Sequence, residues 1–269
     1  MLAAYLLDPQ QKSYSLSALT GKAEPDARDL LLLHRTQAAE IDRNGMVRLL
    51  EEVELPLQHV LFRMEDLGFS VDTDFLRQLG QRYTAEIAEQ RQAVFDACHT
   101  APFNLNSPQQ LGEVLFGQLQ LPHGKKTTKG WSTSAEVLEG LREIAPEIVE
   151  PLLRYRQLVK LNGTYIEGLL RLVDAEGRVH SSFDQVATAT GRISSSEPNL
   201  QNIPVRTEDG REIRQAFLPR TGWILLDADY SQIELRLMAH FSGDEALLEA
   251  FREGEDIHTR TASELFDVP

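Results

Sequence analysis

An α+β fold follows from the order of patterns in this sequence: helical periodicity dominates the first part of the chain, and short strands appear only after Gly177. Three observations carry that reading. Leu76, Leu79, Tyr83, Ile87, Val94 and Cys98 keep helical spacing behind a capping Asp72 or Thr73, which predicts one long helix. Arg178 to Ala187 alternates in strand fashion. Trp223 to Ala228 is apolar without alternation, as in a strand buried on both faces, and Ile233, Leu237, Met238 and Phe241 then return to helical spacing.

Residues 1–55 read as mostly helical, with Leu30 to Leu33 and Val47, Leu50 and Val53 spaced for a buried face and Ser, Gly and Pro punctuation between Ser13 and Pro25. Ser107 followed by Pro108 and Gln110 marks a capped helix whose apolar face is Leu111, Val114 and Leu115. A second capping box is expected at Thr133 and Glu136, and Pro151 to Val173 reads as a further helix. Between the capped helices, HGKKTTKGW (His123 to Trp131) reads as a loop. Pro198 to Pro204 is expected to be extended.

The length of 269 residues allows one large domain or two small ones, and 42% apolar with 25% charged residues excludes wholesale disorder. A lone Cys98 excludes an internal disulfide, and no Cys/His spacing suggests zinc. No run reaches 18 apolar residues, and Met1 to Leu7 is too short for a signal segment, so a cytoplasmic protein with no membrane partner is expected.

The formal charge of -14 argues against a nucleic-acid partner only if it is spread evenly. It is not. Residues 101–220 carry 14 basic and 14 acidic side chains, while the two ends hold the acidic excess. Basic residues cluster at Lys125, Lys126 and Lys129 and again at Arg154, Arg156 and Lys160. Such clusters are either a solvated mixed-charge face or a phosphate-contacting surface.

Asp229 stands where a strand should hand over to a helix, which suits either a helix cap or a carboxylate that binds hydrated Mg²⁺. Glu234 falls about one helical turn beyond. Asp227, two residues earlier, is either a further ligand or an ordinary polar strand end. Upstream, Ala189 to Arg192 and Asn199 to Arg206 hold two arginines and three amides, residue types that read the minor groove but also occur in loops without function.

Taken together, these strings resemble the polymerase core of family-A DNA polymerases, the bacterial DNA polymerase I group. TATGRISSSEPNLQNIPVR (Thr188 to Arg206) resembles the family's primer-contacting segment, DADYSQIELRLMAHFSGD (Asp227 to Asp244) its first catalytic palm motif, and EDIHTRTASELF (Glu255 to Phe266) the start of its fingers. Phe103 to Val173 resembles its DNA-gripping thumb. The resemblance implies a mostly helical N-terminal part and thumb with a partial antiparallel palm sheet. It divides the chain into an exonuclease-like remnant (1–55), a thumb (56–176), and the first part of the palm with the start of the fingers (177–269).

The resemblance also implies roles. Asp229 and the backbone carbonyl of Tyr230 would be ligands of two Mg²⁺ ions. Ser231, Gln232, Glu234, His258 and Arg206 would lie around the incoming dNTP, with Glu234 excluding a ribose 2'-hydroxyl. Arg192, Asn199, Gln201 and Asn202 would hold primer–template DNA in the minor groove, and Lys125, Lys126, Lys129, Arg154, Arg156 and Lys160 would meet its phosphates. The expected protein is a monomer.

Four departures qualify these expectations. The family's later fingers helix and second metal carboxylate do not follow Pro269, so the chain is expected to be a piece of a polymerase, inactive by itself. No Tyr stands at proofreading spacing before an Asp in residues 9–55. Asn162-Gly163 replaces a usual Lys and Ser, and Pro151 falls inside a helix. The competing functional classes are a non-catalytic duplex-binding module and, with weaker support, a metal-dependent phosphohydrolase.

The lysine loop yields a direct expectation. Acids beyond the roughly 8 Å Debye length at physiological salt are screened, so the loop acts on duplex phosphates despite the net charge. Replacing Lys125, Lys126 and Lys129 together should lower the log–log salt slope of duplex binding by about 0.9 for each lost phosphate contact. An unchanged slope would refute the surface.

Overall fold

The computed structural model describes residues 1–122, 126–127 and 130–266. Helices α1 (Leu2–Leu7), α2 (Leu16–Thr20) and α3 (Ala27–Arg43) come first. Ser15 caps α2, and Asp26 and Asp29 form a reciprocal capping box at α3. The buried face expected of Leu30 to Leu33 is not formed: Leu30, Leu31 and Leu32 are exposed, and the buried residue of α3 is Ile41. Val53 is exposed too. Leu30 and Leu33 instead border a cavity of about 640 Å³ together with Leu2, Tyr14, Ile41 and Leu50. Helical spacing specified a stripe, but α1 and α2 are too short to cover it.

A π-helical turn (Leu49–Glu54) leads into α4 (Leu55–Leu67), and Gly68 turns the chain into β1 (Phe69–Val71). Gly68 has φ +63°, and a Cβ there would approach the Val179 carbonyl to 2.8 Å, so only glycine fits. Next comes α5 (Thr73–Cys98), whose cap is Asp72 accepting the Phe75 N–H at 2.9 Å. Ser107 caps α6 (Pro108–Gly112) through the Gln110 N–H, and a π-helical turn (Glu113–Gln118) follows.

The lysine-loop segment contains the small antiparallel pair β2 (Lys126–Thr127) and β3 (Gly130–Trp131), with Lys126 opposite Trp131. The cap of α7 (Ala135–Glu139) is Ser134 rather than Thr133. Thr133 is engaged elsewhere, since its carbonyl and hydroxyl both accept from Arg156. Helix α8 (Pro146–Leu161) starts five residues before the expected Pro151, which sits inside it. A π-helical turn (Asn162–Ile166) takes in the Asn162-Gly163 departure, and α9 (Glu167–Leu172) closes the helical part.

Helices α5 and α8 run antiparallel through two cores. Val94, Phe95 and Cys98 from one end of α5 pack with Val149, Leu152, Leu111, Leu115 and Leu138. Leu76, Leu79 and Tyr83 from its other end pack with Leu158, Leu161, Ile166, Val179 and Ile213. At 1.5 Å per residue α5 is about 39 Å long, which is why one helix can serve both cores.

The strands then follow: β4 (Arg178–Val179), β5 (Ser182–Asp184) and β6 (Ser194–Ser196), a 3₁₀ turn (Leu200–Asn202), α10 (Glu208–Arg214) and β7 (Phe217–Leu218). Strands β4, β1 and β7 form an antiparallel sheet in that order, with Phe69 opposite Val179 and Val71 opposite Phe217. Strands β5 and β6 make a separate antiparallel pair with Phe183 opposite Ser195. The segment expected to be wholly extended before Pro204 instead contains the 3₁₀ turn.

The chain divides into two compact units, Met1–Gly222 and Trp223–Pro269. In the second, the expected buried strand at Trp223 to Ala228 is absent. The run has no regular structure, and Ile224 and Leu226 are 82% and 86% exposed. Among the described residues no strand pairs with it. Uninterrupted apolar character states a need for cover on two faces without providing the neighbours. Helices α11 (Ile233–Ser242), α12 (Glu245–Glu253) and α13 (Ile257–Phe266) complete this unit.

His180 joins the sheet to α4. One ring nitrogen meets the Asp174 carboxylate at 2.9 Å and the other the Glu65 carbonyl at 2.7 Å. The Asp174 bond, followed by the Glu65 carbonyl, raises the His180 pKa above its usual 6.5. The same His180 bond, with the Arg178 N–H, holds Asp174 down to about 2. The His180 stabilisation is therefore complete below about pH 6.5 and lost as pH rises through the folded-state value, while that of Asp174 is complete above about pH 3.9 and lost as pH falls toward its depressed value. We expect His180→Gln to flatten the fall in urea midpoint as pH rises above about 6.5. An unaltered pH profile would show that His180 does not carry it.

Candidate functional site

The segment from Thr188 to Arg206 takes its shape from bonds to itself and to distant helices. The Tyr5 hydroxyl donates to the Thr188 carbonyl at 2.8 Å and accepts the Gly191 N–H at 3.0 Å. The Thr188 hydroxyl donates to the Arg192 carbonyl at 2.7 Å, closing the turn that carries the exposed Arg192. Past β6, the Gln201 amide is committed at both ends: its oxygen accepts the Ser195 N–H at 3.1 Å, and its nitrogen donates to the Ile193 carbonyl at 2.7 Å. Asn199 accepts the Gln201 N–H at 3.1 Å, and the Ser195 hydroxyl accepts the Leu200 N–H at 3.1 Å. Tyr165 donates to the Asn202 carbonyl, tying the 3₁₀ turn to the helical arm.

A groove of about 480 Å³ opens between the end of α8 with α9 and this segment. Lys160 and Thr164 stand on one wall, with Pro198, Asn199 and Asn202 on the other. It therefore brings a cation predicted for phosphates beside two amides predicted for the minor groove. Lys160, Asn199 and Asn202 are all exposed, as is Arg206 just before α10.

The other arm cations are arranged differently. Arg154, expected as a phosphate contact, binds Asp209 through two nitrogens at 2.5 and 3.1 Å and Glu86 at 2.7 Å. Those carboxylates push its pKa further up and leave the three-residue group net negative. Arg156 has neutral partners, the Thr133 carbonyl at 2.5 Å and hydroxyl at 3.2 Å, and burial lowers its pKa. Lys126 lies in β2, and Lys125 and Lys129 lie outside the described residues.

In the second unit, Asp229, Tyr230 and Ser231 lie in an exposed stretch ahead of α11. Gln232, at φ +53°, turns the chain into the helix, and Glu234 sits in its first turn. The left-handed geometry of Gln232 is one that side-chain-bearing residues adopt at a cost. Asp229 does not cap α11, whose cap residue is Gln232. His258 is exposed in the first turn of α13, where its N–H donates to Asp256 at 2.7 Å. Asp229 and the Tyr230 carbonyl offer adjacent hard oxygen donors open to water, which suits a partly hydrated Mg²⁺. Among the described residues no group of three or more His, Cys, Asp or Glu side chains could hold a metal.

Sequence reading missed Tyr5, Ser195 and Asp209. Ser195 could have been suspected from the SSS run, but Tyr5 acts on residues 183 and 186 positions away, and no local pattern announces that.

A two-core helical arm, small antiparallel sheets and a groove lined by Lys160, Asn199 and Asn202 define an α+β architecture. Residues 73–269 match DNA polymerase family A, and the chain belongs to that family. DNA polymerase I of Geobacillus stearothermophilus is 48% identical, covering 100% of this chain and 34% of that protein. The thermostable DNA polymerase I of Thermus thermophilus is 51% identical, covering 100% of this chain and 33% of that protein. A solved structure described as the POL domain of Pol1 from M. smegmatis in complex with DNA primer-template and dNTP is similar with a TM-score of 0.90 and 41% identity, covering 100% of this chain and 49% of that chain. The chain thus spans about a third of the length of these curated relatives. Among the described residues no helix is long and apolar enough to cross a membrane.

The Tyr5 contact makes a measurable claim. Tyr5→Phe removes both bonds to the Thr188–Arg192 turn and should cost about 0.5–1.5 kcal/mol for each hydrogen bond lost, read from urea unfolding. The Gly191 amide should exchange faster with solvent. Unchanged exchange at Gly191 would show that the turn holds its shape without Tyr5.

Proposed function

We propose that this chain is the primer–template-gripping and partial palm portion of a DNA-directed DNA polymerase that extends a primer from dNTPs on a DNA template. The observation that carries the reading is the groove in which Lys160 faces Asn199 and Asn202. A cation on one wall and amides on the other match a strand whose phosphates and base edges point in different directions. Family membership and the likeness to a polymerase domain bound to primer-template and dNTP support it. On this reading residues 1–55 are exonuclease-like, 56–176 are the thumb, and 177–269 are the palm with the start of the fingers.

Within that frame each residue has a task. Lys160, Arg156 and the lysine loop carry positive charge to backbone phosphates, which fixes register without reading sequence. Asn199, Asn202 and Arg192 hold the minor groove, where acceptors recur in every base pair. Gln201 shapes the loop that presents them. Asp229 and the Tyr230 carbonyl contribute oxygen ligands for metal, and the family's two Mg²⁺ ions, when bound, lower the pKa of the primer 3'-hydroxyl and neutralise charge on the triphosphate. Glu234, from the first turn of α11, crowds a ribose 2'-hydroxyl. Ser231, Gln232, Arg206 and His258 orient the incoming nucleotide.

The test joins this chain to the remaining polymerase residues of the Geobacillus stearothermophilus relative. The joined protein should extend a primer, and Asp229→Asn should abolish extension while leaving primer–template affinity nearly intact, because the amide keeps the shape and loses the charge. Primer extension beside a binding titration reads both. Full extension by the variant would remove Asp229 from metal binding, and duplex affinity without extension by the parent would leave only a duplex-binding module.

A further inference from the structure

Asp209 lies in the first turn of α10, three residues after Arg206, and gathers side chains from the arm. Arg154 of α8 grips it through two nitrogens, and Gln157, nearly one turn further along α8, donates to the same carboxylate at 2.7 Å. Arg154 also reaches Glu86 of α5, so one guanidinium joins three helices. A second ion pair, Arg82 with Glu212, joins α5 to α10 beside it. The neighbouring backbone has no slack: Gly210 is buried, and a Cβ on it would come within 2.5 Å of Pro204. Pro204 belongs to the same segment as Asn199, Asn202 and Arg206.

We propose that Arg154 and Asp209 are positioning residues, a clamp that sets the pose of the Asn199–Arg206 segment against α8, and that Arg154 is not a phosphate contact. Both oxygens of Asp209 are taken by α8, and a bidentate Arg–carboxylate pair fixes orientation as well as distance. Through Gly210 against Pro204 that orientation passes to the wall of the groove that faces Lys160. The Nε of Arg154 is taken by Glu86 and both terminal nitrogens by Asp209, so the guanidinium is not presented to a phosphate. The clamp's effect on DNA rests on the grip reading above.

The experiment uses the chain itself with four variants: Arg154→Met, Asp209→Asn, the pair of these, and Lys160→Ala. Primer–template affinity is titrated across salt well below the unfolding temperature, and amide exchange is measured on the free chain. Arg154→Met and Asp209→Asn should each weaken binding by about tenfold, the pair no more than either alone, with the salt slope unchanged. Both should speed amide exchange in residues 203–213 while leaving the α6–α7 region as it was. Lys160→Ala should lower the slope by about 0.9, as a lost phosphate contact does. Tighter binding and a steeper slope in Asp209→Asn would overturn the proposal, because an Arg154 released from Asp209 would then be reaching phosphate. Unchanged exchange over residues 203–213 would overturn it as well. A parent chain without duplex affinity would refute the grip reading instead, with the exchange measurement still deciding whether the clamp exists.

Discussion

Helices α5 and α8 lie against each other in opposite directions, and the elements that share their two cores are placed by which end of that pair they meet. At one end Val94 and Phe95 with Val149 and Leu152 bury the helices that carry the lysine loop. At the other, Leu76, Leu79 and Tyr83 with Leu158 and Leu161 bury the sheet and α10. Fully burying such a side chain is worth about 1.5–3 kcal/mol, so the two cores together outweigh any single polar contact described above. The consequence is functional: the groove opens where the second core ends, and its Lys160 wall is the exposed side of the same helix that fills the core.

The polar residues of the Thr188–Arg206 segment divide between shaping and presenting. Gln201 bonds at both ends of its amide, and Asn199 and Ser195 satisfy backbone N–H groups. Loops with buried backbone need such partners, since an unpaired group costs about 1–3 kcal/mol. What is left to face a ligand is a smaller set than composition suggests, with Arg192, Asn199, Asn202 and Arg206 exposed and the turn at Asn202 held through its backbone by Tyr165.

Charge behaves in the same divided way. A net of -14 hides a balanced middle segment, but counting arginines there overstates the field available to phosphates. Arg154 sits between two carboxylates, whereas Arg156 bonds only to Thr133 and keeps its charge unopposed among its hydrogen-bond partners. Partial burial lowers the Arg156 pKa, yet an arginine stays protonated at neutral pH, so it remains a usable cation.

Much of this protein is local and was legible. Asp72 and Ser107 announce their elements within a few residues and cap helices as expected, and Glu234 lies in the first turn of α11, whereas Asp229 neither ends a strand nor caps that helix. The motifs from Thr188 to Arg206 and from Asp227 to Asp244 carried the family for the same reason, being contiguous. Partners at long range were not legible. Whether Thr133 or Ser134 caps α7 was decided by Arg156, whether Arg154 faces solvent was decided by Asp209, and Tyr5 acts across 183 positions. The Trp223 to Leu226 run shows the limit most plainly, since its apolar pattern specified what it needs and the described structure leaves it exposed. Helical spacing and a cap such as Asp72 or Ser107 are set by atoms a turn or two away, so the amino-acid sequence determines them by itself unless a distant side chain claims the cap, as Arg156 does at Thr133; charge pairing and strand pairing depend on which distant segments meet, and only the tertiary structure brings those together.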